Sequence, residues 1–138
     1  ESNRSKRLSH TQTQLRRALL GSAVSLAGAL IVPESAYCWA FGFEGIRPVV
    51  LGLAPAAIAG AFSSVVAHHL SGIGQHRWNA WTSGAGLLTL LILATATIPA
   101  YGAIGAAYAA SGAAIVQALG LLAAWSKCES TPVKNLLF

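Results

Sequence analysis

Between Pro48 and Cys128 the chain carries just two charged side chains, Arg77 and Lys127. An uncharged apolar run of about 18 residues or more is long enough to cross a bilayer as a helix. Several such runs follow one another here, parted by short polar or Pro/Gly punctuation. Composition agrees. Charged residues are 9% of the chain and mean hydropathy is +0.58, whereas soluble domains are about a quarter charged. A water-soluble core is not expected. The fold class expected is all-α: a polytopic membrane protein with four transmembrane helices.

The segments follow from the punctuation. Residues 1–17 are polar and basic, with Arg4, Lys6, Arg7, Arg16 and Arg17. Such a run reads either as a nucleic-acid contact or as the cytoplasmic flank of a membrane helix, and its position beside a span favours the flank, with no nucleic-acid partner. Spans are expected at about 18–32, 49–70, 80–98 and 104–125. Residues 35–48 read as a loop rich in aromatic side chains, either an interfacial belt or a sugar-stacking platform. Pro55 lies in the first half of the second span and predicts a kink or a later helix start. Residues 71–79 read as a polar turn, and 126–138 as a cytoplasmic tail. The corner Pro99-Ala100-Tyr101-Gly102 is so short that the third and fourth helices must be antiparallel neighbours.

Positive charge sets the orientation. With four spans both termini share one side, together with Arg77, Lys127 and Lys134. The other side holds Arg47 beside Glu34 and Glu44. The positive-inside rule places both termini in the cytoplasm. Cys38 and Cys128 then lie on opposite sides, and no disulfide between them is expected. The chain starts at Glu1 and contains no Met, so it reads as a piece of a longer protein.

Small residues recur every fourth position: Gly102, Ala106, Ala110, Ala114 and Ala118, and again Gly52, Ala56, Gly60, Ser64 and His68. Each series is expected to form a ridge without bulk, along which helices approach closely in lipid. Gly52, Gly60, Gly102, Gly105, Ala106 and Ala110 are the expected helix-packing residues.

GIGQHRWNAW, an apolar helix, and then IPAYGAIGAAYAASGAAI resemble the last part of bacterial polysaccharide flippases. These belong to the multidrug/oligosaccharidyl-lipid/polysaccharide exporter superfamily. The matching positions are Gly72, Gly74, Arg77, Asn79, Ile98, Pro99, Tyr101, Gly102, Gly105, Ala106 and Ala107. FGFEGIRPVVLGLAP resembles the stretch leading into the preceding helix. The resemblance spans about Leu15 to Trp125. It implies four helices of the second lobe of an alternating-access carrier in the bacterial inner membrane. That carrier would flip polyprenyl-diphosphate-linked oligosaccharide for lipopolysaccharide or exopolysaccharide synthesis. The partners implied are membrane lipid, lipid-linked oligosaccharide, and either the remaining helices of a larger transporter or further copies of this chain. Four helices cannot form two lobes, so no transport by one copy alone is expected.

Arg47, Arg77 and Gln117 are the candidate substrate contacts. The arginines suit phosphate or sugar-acid groups at the two membrane faces, or equally the anchoring of loops. Gln117 is the strongly polar side chain inside the fourth span, suited to an interhelical hydrogen bond or a substrate. His68 and His69 are adjacent and point about 100° apart on a helix, which is poor metal geometry. No catalytic residue, metal ligand or cofactor site is read from the sequence, and no enzymatic activity is expected. A drug extruder of the same superfamily and a non-transporting membrane scaffold are the competing readings.

Overall fold

The computed structural model describes residues 2–42 and 45–129, with side chains described for 9–40, 42 and 45–128. Within them the chain is helical, in the order α1 (Ser2–Ile31), α2 (Glu34–Phe41), α3 (Ile46–Gly72) and α4 (His76–Glu129). Two helices, α3 and α4, are long and apolar enough to cross a membrane, and the bent pair α1–α2 makes a third if counted as one span.

The polar flank is helical rather than separate from the first span. Gln, Arg and Leu are good helix formers, and neither Gly nor Pro interrupts residues 2–20. Pro33 ends the rod with extended backbone (φ −68°, ψ 149°). The chain turns there by 92° into α2. Part of the expected aromatic loop is therefore a helix, bracketed by Pro33 before and Gly42 after, the order in which helices prefer these residues. Gly42 takes φ 76° and its N–H donates to the Cys38 carbonyl at 2.8 Å, a left-handed cap that L side chains rarely adopt. The Tyr37 hydroxyl donates to the Ala29 carbonyl at 2.5 Å, and the Gly45 N–H donates to Glu34 Oε1 at 2.8 Å. The first bond holds α2 against the end of α1, and the second ties its start to the entry of α3. Phe43, Glu44 and the tail beyond Glu129 lie outside the described residues.

The helix α4 is a hairpin. Gly102 has φ 56° and ψ −129°, the conformation at the first central position of a type II′ turn, which essentially requires glycine. This one residue reverses the chain between a first arm, 76–101, and a second arm, 103–129. Close approaches run the length of the pair. The Thr97 hydroxyl donates to the Gly105 carbonyl at 2.8 Å. A Cβ on Gly112 would strike the Leu93 side chain, one on Gly86 would lie 3.4 Å from the Ala113 carbonyl, and one on Gly120 2.8 Å from Thr82 Cγ2. The second arm in turn packs on α3. Gly52 is buried against Ala107 and Tyr108, and the Ser111 hydroxyl donates to the Gly52 carbonyl at 2.5 Å. The helix α3 continues through Pro55, and α1 also packs on α3.

The small residues that meet are not the fourfold ridges expected. Gly105, Ala107, Ala109 and Ser111 are buried, whereas Gly102 and Ala106 are exposed and Ala110 is half-buried. On α3, Gly52 is buried but Gly60 faces open space, as does Gly21 on α1. The reason is helical phase. A step of four residues overshoots one turn by about 40°, so Gly102 to Ala118 would wind about 160° round the helix. A seven-residue step drifts only about 20°. Gly105 and Gly112, seven apart, stay on the face toward the first arm, while Ala107 and Ser111 share the face toward α3.

The buried core sits at the end where α1 begins, α3 ends and the second arm ends. Leu15, Val66, Leu70, Leu121, Ala124 and Trp125 form it, with Leu19, Phe62 and Trp78 packed around them. Toward the Pro99 end the helices expose apolar faces, including Leu20, Val24 and Ile31 of α1 and Leu87, Leu88 and Ile92 of the first arm. That is the surface expected of rods embedded in hydrocarbon.

Two glycine substitutions separate close approach from mere smallness. A Cβ at Gly105 would collide with the Thr97 carbonyl, which is backbone and cannot yield, whereas nothing lies within 4 Å of Gly60. Gly105→Ala is expected to lower unfolding stability in detergent by about 1–3 kcal/mol, as overpacking does. Gly60→Ala is expected to be neutral or to gain a few tenths of a kcal/mol, up to about 1, from helix propensity. Equal effects in a denaturant titration followed by circular dichroism would remove this account of the hairpin seam.

Candidate functional site

Polar and basic groups gather at the core end of the bundle. Asn79, one turn into the first arm, donates through Nδ2 to the Ala67 carbonyl at 2.9 Å and to Ser71 Oγ at 2.8 Å. This ties the arm to the last turns of α3. Asn79 Oδ1 and the hydroxyl of Ser63, both buried, have no hydrogen-bond partner among the described residues. On the other flank of α3, Thr11 Oγ1 and His69 Nδ1 share a hydrogen bond of 2.9 Å. The His69 ring lies 4.2 Å from Trp125, centroid to centroid. Thr11 is buried, so the formerly polar flank of α1 is a packed part of this end.

Two cavities open beside these contacts. One, of about 270 Å³, is lined by His10, Thr11, Gln14, Val65, His68 and His69. Among the described residues no three His, Cys, Asp or Glu side chains converge as metal ligands. The other, of about 360 Å³, is lined by Gln75, Arg77, Trp78 and Trp81. The Lys127 ammonium stands 5.5 Å over the Trp78 ring, within the range of a cation–π attraction. Arg16, Arg17, Arg77 and Lys127 all lie at this end. The described carboxylate, Glu34, lies at the opposite one.

A third cavity is purely apolar. It opens sideways, with a volume of about 420 Å³, between Leu19 of α1, the Pro55–Phe62 stretch of α3, and Ile115, Leu119 and Leu122 of the second arm. Its walls are aliphatic and aromatic and offer no catalytic group.

The three candidate contacts do not converge. Arg47 sits at the start of α3 and donates to the Leu30 carbonyl at 3.4 Å, anchoring the α1–α2 bend. Gln117 is half-buried in the hairpin seam, where Nε2 donates to Ser83 Oγ at 3.2 Å. Arg77 lines the cavity with Gln75, Trp78 and Trp81, at the far end from Arg47. Thr11 and Trp125 are not among the sequence candidates, and Asn79 enters there only as a motif position. The Thr11–His69 and His69–Trp125 contacts join positions far apart in the chain, which no local spacing announces, whereas Asn79 reaches Ser71 and Ala67 across the adjoining turn. Cys38 and Cys128 are both free thiols.

The two polar crosslinks differ in how much they should contribute. Asn79→Ala removes two donated bonds and leaves the Ala67 and Ser71 oxygens short of a donor. It is expected to cost about 1–3 kcal/mol. Gln117→Leu removes one long bond between the two arms of the hairpin and is expected to cost less than about 1 kcal/mol. Unfolding of both variants in one detergent reads the difference, and a larger loss for Gln117→Leu would reverse the ranking.

No protein-family model, curated protein or solved structure matches the chain.

Proposed function

We propose that the chain is a four-crossing membrane bundle with both termini on the cytoplasmic face of a bacterial inner membrane. In this reading it forms part of a carrier that flips polyprenyl-diphosphate-linked oligosaccharide during polysaccharide biosynthesis. The observation that carries the embedding is the doubled α4: two apolar arms, antiparallel and in contact, whose outer faces are Leu, Ile and Val. Each arm is about 40 Å long at 1.5 Å per residue, enough for a ~30 Å hydrocarbon core. With α3 and the bent α1–α2 pair they make four crossings. The basic end, holding Arg16, Arg17, Arg77 and Lys127, faces the cytoplasm by the positive-inside rule.

The carrier role is supported by the likeness of residues 72–115 to the flippase motifs and by the sideways apolar groove, which suits a prenyl tail. No covalent chemistry is involved; the bundle supplies one wall of a cavity that opens alternately to the two faces. A scaffold role is the second reading. It is favoured by Gln117, the polar side chain within the arms, being engaged with Ser83 rather than facing a cavity. A drug extruder of the same superfamily is a further reading, which an acidic cavity residue on other helices of a larger carrier would favour.

Topology is read with the native thiols. In intact cells a membrane-impermeant maleimide is expected to label Cys38 and to leave Cys128 unlabelled until the membrane is opened; labelling of both from outside would end the four-crossing reading. Carrier and scaffold are separated with a photoactivatable polyprenyl-diphosphate oligosaccharide in native membranes. Crosslinks at Phe62 or Leu119, competed by unlabelled lipid, are the expected outcome. Competition by a lipophilic cation instead would favour extrusion. No crosslink to a folded bundle would leave the scaffold.

A further inference from the structure

We infer that the cavity at Gln75, Arg77, Trp78 and Trp81 is a binding site for the phosphate of an anionic phospholipid headgroup at the cytoplasmic interface. The inference rests on the membrane embedding proposed above and is independent of transport.

The cavity combines what such a headgroup needs. Its volume, about 360 Å³, falls in the range of small-ligand sites. Arg77 supplies a planar fork of donors matched to phosphate oxygens. No described residue forms a hydrogen bond or ion pair with that guanidinium, unlike Arg47, which is occupied at Leu30. Gln75 adds a neutral donor on the same wall. Trp78 is half-buried and carries the Lys127 ammonium over its ring, so a second permanent cation stands beside the cavity. Trp81 is 73% exposed. A large indole left outward at a helix start is placed as Trp is at the headgroup level of a bilayer, with its apolar body in the acyl boundary and its N–H toward water.

Arg16, Arg17 and Lys127 lie at the same end as Arg77. In the proposed embedding this end meets the negative surface of the cytoplasmic leaflet, where each Lys or Arg near the surface contributes roughly 1 kcal/mol. The cavity localises that general attraction to one seat, because the Arg77 and Gln75 donors and the Trp78 and Trp81 rings line it together. The Thr11–His69 cavity lacks this, since its polar walls are imidazoles, a hydroxyl and an amide.

The test uses the full chain in nanodiscs of equimolar phosphatidylglycerol and phosphatidylcholine, with retained lipid counted by native mass spectrometry. Phosphatidylglycerol is expected to be retained in preference, and Arg77→Gln to weaken its retention about tenfold, the effect of losing one charged hydrogen-bonding partner. Arg77→Lys keeps the charge but loses the fork and is expected to fall between the two. Trp81→Ala, at an exposed position that leaves the core intact, is expected to weaken retention severalfold with unchanged circular dichroism. Equal retention of both lipids, or no loss in either Arg77→Gln or Trp81→Ala, would overturn the site. Displacement of the lipid by millimolar inorganic phosphate would overturn the lipid assignment in favour of a free anion. Photocrosslinking in the apolar groove is read separately, so failure here leaves the carrier reading standing.

Discussion

The near-contact of the two arms of α4 around Gly105 is the interaction from which the bundle is built. In hydrocarbon, apolar side chains gain nothing by leaving lipid for one another, so helices associate through close packing and interhelical hydrogen bonds. Both occur at this seam. Gly105 lets the Thr97 backbone lie where any Cβ would stand, and the Thr97 hydroxyl adds a bond across it. Without that proximity the glycine positions at Gly86, Gly112 and Gly120 would have no partner surface. The face that receives α3, with Ala107 and Ser111, would have no fixed direction.

The rest is layered on the hairpin. The Gly52–Ser111 contact seats α3, and Asn79 fastens the lower turns of α3 to the first arm. The helix α1 comes last, held at one end by Leu15, Thr11 and His69 and at the other by the Arg47 bond to the Leu30 carbonyl. Polar bonding and aliphatic burial thus coincide at the basic end, while the Pro99 end leaves its apolar faces to the surroundings. This distribution suits rods whose middle is solvated by lipid and whose interfacial end must order polar groups.

Much of this was readable from residue order. The helical class, the sites of the main turns and the charge asymmetry follow from where charge, Pro and Gly fall. The reversal lies at Gly102, the last residue of the Pro99–Gly102 corner, because no other residue type tolerates that backbone conformation cheaply. What was misread was phase. A fourfold recurrence of small residues looks like a stripe in the sequence and winds around the helix in space, so Gly60 and Ala106 turned outward while Gly105 and Ala107, one residue to either side of Ala106, carry the contacts. The helix α2 was hidden by its aromatic residues, which are as common at an interface as in a short helix. The Thr11–His69–Trp125 contact had no local signature, because each member is ordinary in its own segment and only the fold brings them together.

The one-residue reversal at Gly102 also decides where this chain tolerates changes of length. A loop of several residues absorbs an insertion by bulging, and the turns at residues 32–33 and 73–75 have that slack. The hairpin has none. One residue added within either arm would rotate everything beyond it by about 100°, carrying the glycines off the seam and their bulkier neighbours onto it. Relatives of this chain should therefore vary in length at the ends of α1 and α3 and hold a constant count from Thr82 to Gly120, the strip in which the two arms share a single ruler.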